Sequence, residues 1–112
     1  MESKIIINTV THPNDSSIKT ITTNRYKANG YYGVRFGIHS IQYNLLNFVG
    51  NIIVQGALEL SPTEDDWFDI EETLYETSVE TTINTIKNFT GNFVYIRTVV
   101  NYYNGTIRSV VF

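Results

Sequence analysis

Apolar and polar residues alternate with a period of two along most of this chain, and no segment holds a helical apolar period over several turns. A period of two is the signature of a half-buried β-strand. The pattern is clearest in two places. Tyr32, Val34, Phe36 and Ile38 share one parity, and Ile41, Tyr43 and Leu45 take the opposite parity. Val94, Ile96, Val100 and Tyr102 share one expected face, and Tyr95, Arg97 and Asn101 the other. The change of parity after Ile38 predicts a β-bulge or bend near His39-Ser40.

The remaining strands follow from the same rule. Ser3 to Val10 is Ile-rich, and Pro13-Asn14-Asp15-Ser16 after it has turn chemistry. Ile18 to Lys27 reads as a polar strand ending at Asn29-Gly30. Ile52, Val54, Leu58 and Leu60 form an expected inward stripe, and Ser61 to Asp66 a loop. Trp67 to Tyr75 and Val79 to Phe89 are the next two strands. The latter carries too many Thr and β-branched residues for a good helix. Phe93 to Tyr103 is the strongest strand. Asn104-Gly105 then has the residues of a type I′ hairpin turn, returning the chain as Thr106 to Phe112.

About eight strands in 112 residues predict one all-β domain spanning 1–112, an antiparallel β-sandwich or jelly roll, with a closed barrel as the alternative. Asn47-Phe48-Val49-Gly50-Asn51 and Asn88-Phe89-Thr90-Gly91-Asn92 repeat the pattern Asn-Phe-x-Gly-Asn. Each leads into an apolar strand. Gly at a positive φ and Phe as an anchor make this a repeated corner device.

Charge narrows the function. The net charge is −3, and the eight Lys and Arg are scattered singly. Phosphate-backbone binding needs a basic patch, so no nucleic-acid partner is expected. Charged residues make up only 17% of the chain. The polarity is carried by Asn and Thr, whose neutral groups cost less to desolvate than charges at an interface. No cysteine is present, which excludes disulfides, zinc–thiolate sites and thiol nucleophiles. The N-terminal apolar run is too short for a signal peptide, and no stretch approaches a membrane span. No membrane partner is expected.

The candidates for chemistry are few. Glu64, Asp65, Asp66, Asp69, Glu71 and Glu72 form the densest charge cluster. Calcium favours several oxygens, but this spacing lacks the EF-hand's glycine and terminal Glu, so a solvated acidic loop is the better reading. His12 and His39 have no ligand-spaced partner and read as surface or turn residues. Trp67 is either a sugar-stacking platform or, beside Phe68, a core anchor, and the core is favoured. Asn14, Asn88 and Asn104 begin Asn-x-Ser/Thr triplets that read as turn chemistry. No cofactor, metal or catalytic residue is expected. Tyr95, Arg97, Tyr103 and Arg108 are the candidate partner-interface residues, since Arg and Tyr are favoured interface anchors.

Asn47 to Leu58, with Asp66-Trp67-Phe68-Asp69-Ile70, resembles β-sandwich modules of tailed-phage virion proteins, in particular those of contractile-tailed phages of marine bacteria. Asn88 to Arg97 and Asn104-Gly105-Thr106-Ile107 continue the likeness, which covers about residues 30 to 112. The resemblance implies a structural role without catalysis: a capsid decoration protein present in many symmetric copies, assembled in the host cytoplasm, with other virion proteins as partners. Its alternatives are a neck, tail or fibre component. A carbohydrate-binding adhesion module is the reading from a different class, and a small hydrolase a distant third.

Overall fold

The computed structural model describes residues 5–13, 17–28 and 37–112. Among the described residues there are seven strands: β1 (Ile5–Ile7), β2 (Val10–Thr11), β3 (Lys19–Thr22), β4 (Tyr26–Lys27), β5 (Ile38–Ala57), β6 (Phe68–Thr90) and β7 (Tyr95–Val111). All pairings are antiparallel. The all-β antiparallel class expected from the alternation is therefore what the chain adopts. The hydrogen-bonded order is β1-β7-β5-β6, with β2, β3 and β4 also laid along β7. The described sheet is open. Four short strands form a broken first row, and three long ones complete it.

Length shows that the long strands bend. A 20-residue strand such as β5 spans about 66 Å when straight. The longest dimension of the molecule is 43 Å. The sheet therefore folds over on itself, and each long strand belongs to two layers. One layer holds β1, β2 and residues 38–46, 81–90 and 104–111. The other holds β3, β4 and residues 48–57, 68–77 and 95–102. Strands that pass between layers do so through bulges or bends. Pairing shifts on β5 fall between Leu45 and Gly50 against both neighbours.

The corner chemistry is local. Asn47 has a φ of 51° and Gly50 a φ of 149°. A Cβ on Gly50 would lie 2.3 Å from the Asn101 carbonyl oxygen. On β7 the corner falls at Gly105, whose φ is 97°. A Cβ there would lie 2.4 Å from the Asn47 carbonyl oxygen. Asn104-Gly105 is thus a corner within one continuous strand, not a hairpin turn, and Thr106 to Phe112 continues β7 instead of returning beside it. The bulge expected near His39-Ser40 is also displaced, because pairing runs without a shift from Ile38 to Leu45. The repeated Asn-Phe-x-Gly-Asn device does share its geometry: Phe48 and Phe89 are buried, and Gly50 and Gly91 both have positive φ.

The core lies between the layers. β5 supplies Ile41, Tyr43, Leu45, Phe48, Ile52 and Val54, and β7 supplies Ile96, Val100, Tyr102, Ile107 and Val110. Phe48 and Tyr102 stack with ring centroids 5.8 Å apart. Leu58 and Leu60 do not join this stripe, because β5 ends at Ala57 and both are exposed in the following loop. β6 pairs from Ile70 with Val54 and resumes at Tyr75 with Ile52, so residues 71–74 bulge outward. The buried Thr73 hydroxyl fills the gap. It accepts from the Val54 N–H at 2.8 Å and donates to the Ile70 carbonyl at 2.6 Å.

Both histidines are buried instead of lying at the surface. A ring nitrogen of His12 lies 2.8 Å from the Ser17 carbonyl oxygen, and the ring meets Tyr102 edge-on. His39 pairs in the same way with Gly91 at 3.0 Å and stacks on Phe89 and Phe112. Residues 14–16 of the expected Pro13 turn, the Asn29-Gly30 break, and Tyr32, Val34 and Phe36 lie outside the described residues.

Candidate partner interface

Arg97 is the best-connected of the four expected interface residues. It points away from the core on β7, opposite Gln55 on β5. Its Nε donates to Gln55 Oε1 at 2.8 Å, and its two terminal nitrogens donate to the Glu64 carboxylate at 3.2 and 3.1 Å. The guanidinium carbon also sits 4.4 Å from the Trp67 ring centroid, a cation–π distance. The side chain is only 13% exposed. Hydrogen bonding to Arg97, reinforced by its charge, holds the Glu64 carboxyl below the usual carboxylate range. Arg97 is thus committed within the chain, where it fastens the loop of residues 58–67 to the sheet.

The other three do not join it. Tyr95 keeps the outward parity of Arg97 and lies outside the core cluster, but it is 8% exposed because the Arg25 guanidinium covers its ring at 4.6 Å. Tyr103 is 52% exposed beside the corner. Arg108 is exposed beyond it, in the other layer, with its carbonyl accepting from the Thr9 hydroxyl at 3.1 Å. Because β7 passes straight through Asn104-Gly105, Arg97 and Arg108 do not meet across a hairpin.

Trp67 is half-buried beneath Arg97 and is not part of the core cluster, contrary to the favoured core reading. The acidic residues around it are engaged locally. Asp69 accepts from Gln55 Nε2 at 2.9 Å, and Asp66 accepts from the Thr63 N–H at 2.7 Å. Among the described residues, no three His, Asp or Glu side chains converge as a metal site. Asn88 accepts from the Ser40 hydroxyl, and Asn104 donates to the Asn47 carbonyl and to Glu80.

The outer face of the first layer was not singled out by the sequence reading. Along β5, Ile38, Ser40, Gln42 and Asn44 point outward, opposite Thr90, Asn88, Ile86 and Asn84 on β6. Ser40 Oγ donates to Asn88 Oδ1, and Gln42 Nε2 to Asn84 Oδ1, each at 2.7 Å. Ile38 is 73% exposed and Ile86 60%. None of these eight residues is charged. The even-numbered run from Thr82 to Thr90 was a signal available in the sequence. Such a face can be dried by a partner without stripping water from ions, and its amides are already paired across the strands.

Fold and surface together define an all-β module with two bent, face-packed layers. Comparison of the chain with protein-family models, curated proteins and solved structures finds no match.

Proposed function

We propose that this chain is a non-enzymatic structural protein of a tailed-phage particle, acting as a capsid decoration protein in many symmetry-related copies. The likeness of residues 47–70 and 88–107 to virion β-sandwich modules brings the particle into the reading. The observation that carries the assembly role is the uncharged, internally paired β5–β6 part of the first layer's outer face, with Ile38 and Ile86 standing from it. Interface cores are depleted in charge, and this face has that composition. Weak contacts become effective when each copy also touches its neighbours.

The test mixes purified protein with undecorated shells and images them by electron microscopy. Symmetry-related density on the shell is expected, and Ile38→Lys with Gln42→Lys should lower its occupancy while leaving the fold intact. Density only at a neck, baseplate or fibre would move the protein to that part of the particle.

Trp67, half-buried outside the core with Arg97 over one face of its ring and Gln55 and Glu64 beside it, favours a second reading as a carbohydrate-binding adhesion module. An aromatic ring with planar polar neighbours is suited to a sugar face. A glycan array decides between them: clear glycan binding, together with absence from the particle, would replace decoration by adhesion.

A further inference from the structure

The two edges of the described sheet differ. The first row is broken into four strands of two to four residues. β6, at the opposite edge, runs for 23 residues and pairs with β5 alone among the described strands. A long unpaired edge presents free N–H and C=O groups as a template for another strand. Proteins usually block such edges with charge. Here Thr81-Thr82-Ile83-Asn84-Thr85-Ile86 is uncharged, with Glu80 before it and Lys87 after it.

We propose that β6 pairs edge to edge with β6 of a second copy of this chain, antiparallel about a two-fold axis through Asn84. The pairing does not depend on which assembly the protein serves. A two-fold axis normal to the sheet keeps outer faces together, so opposed residues must share parity. Charge then selects the register. Centring on Ile86 would set the two Lys87 residues diagonally adjacent on one face, about 7–8 Å apart. Centring on Asn84 separates them by six residues, about 20 Å along the strand. In that register Lys87 faces Thr81 of the second copy. Like charges then approach nowhere along residues 81–90. Ile86, exposed in the single chain, is set against Thr82.

The absence of cysteine in the chain provides a clean probe. Asn84→Cys places two thiols opposite each other at the axis, and mild oxidation should give a disulfide-linked dimer. Leu60→Cys, also exposed but in the loop, is the control and should link far more slowly. Sedimentation of the unmodified protein should stop at twice 12.8 kDa. Asn84→Asp, nearly isosteric, sets two carboxylates face to face and should weaken the dimer at pH 7 by about tenfold or more. A protein that stays monomeric at millimolar concentration, with Asn84→Cys linking no faster than the loop control, overturns the proposal. Open-ended growth beyond a dimer also overturns it.

Discussion

The Tyr43 hydroxyl donates a 2.8 Å hydrogen bond to the Thr73 carbonyl, although the two residues belong to opposite layers. Across the β5–β6 ladder Tyr43 faces Thr85, and Thr73 lies beside Val54 at the far end of β5. A phenol can reach from one end of the ladder to the other only because the ladder is folded double. The bond crosses the core between the two halves.

Burial pushes the Tyr43 hydroxyl far above its ordinary range, and raises that of Tyr102 as well. A neutral group whose folded pKa is raised contributes stability that is complete below the unfolded value, about 10 for tyrosine. That stability is lost as pH rises from there toward the folded value. Tyr43→Phe should cost about 1–2 kcal/mol at pH 7, from the lost hydrogen bond and the orphaned carbonyl. It should also flatten the alkaline loss of stability above pH 10, leaving the part due to Tyr102. Urea denaturation at a series of pH values measures both; equal alkaline slopes for the two proteins would contradict this account.

Gly105 is required by position and by φ together. Alanine there meets the Asn47 carbonyl and adopts a left-handed conformation, so Gly105→Ala should destabilise by about 2–3 kcal/mol or more. A midpoint shift in chemical denaturation gives the value. Ordinary hairpin turns tolerate a substituted residue at smaller cost, so a change near zero would mean that the corner is not packed against β5 as described.

Arg97 governs a loop, not the core. Arg97→Ala should expose the single Trp of the chain, shift its fluorescence to the red, and speed proteolysis within residues 58–67, with little change in global stability. Since Arg97 lowers the Glu64 pKa, the tie is complete above the ordinary glutamate range. It weakens as pH falls through the lowered folded value. The same red shift should therefore appear in the unmodified protein under acid and be absent from Arg97→Ala. An acid titration of Trp fluorescence checks this.

The sequence was most legible where the signal is local. Ile41, Tyr43 and Leu45, and likewise Ile96, Val100 and Tyr102, alternate in sequence and in burial, because opposite pointing of neighbours is a property of any strand. Several segments read as separate strands are halves of bent ones: Val79 to Phe89 continues Trp67 to Tyr75 as β6, and Thr106 to Phe112 continues β7. Asn104-Gly105 could not be resolved from sequence, since positive φ serves a hairpin turn and a corner equally. Only the approach of Asn47, distant in the chain, decides between them. Arg97 was recognised as outward-facing and important. Its partners Glu64 and Trp67 were not, because they come from a loop whose path depends on the completed sheet. Tyr95 keeps the outward parity expected of it, but Arg25 from the first row covers its ring, a long-range contact that no local pattern reveals.

Among the described residues, the four strands of the broken first row, β1 to β4, all pair with β7, residues 95–111. On the ribosome β1 to β4 therefore wait for residues 95–111 before these pairings can form. Until β7 emerges, Ile6, Ile7 and Ala28 have no sheet to cover, and the β5–β6 ladder shows its Ile41, Leu45 and Ile52 face without a third strand. Closing such distant pairs is slow compared with local structure. These apolar faces thus stay uncovered between the making of β1 and that of β7, and yield in cells should depend on how quickly β7 follows.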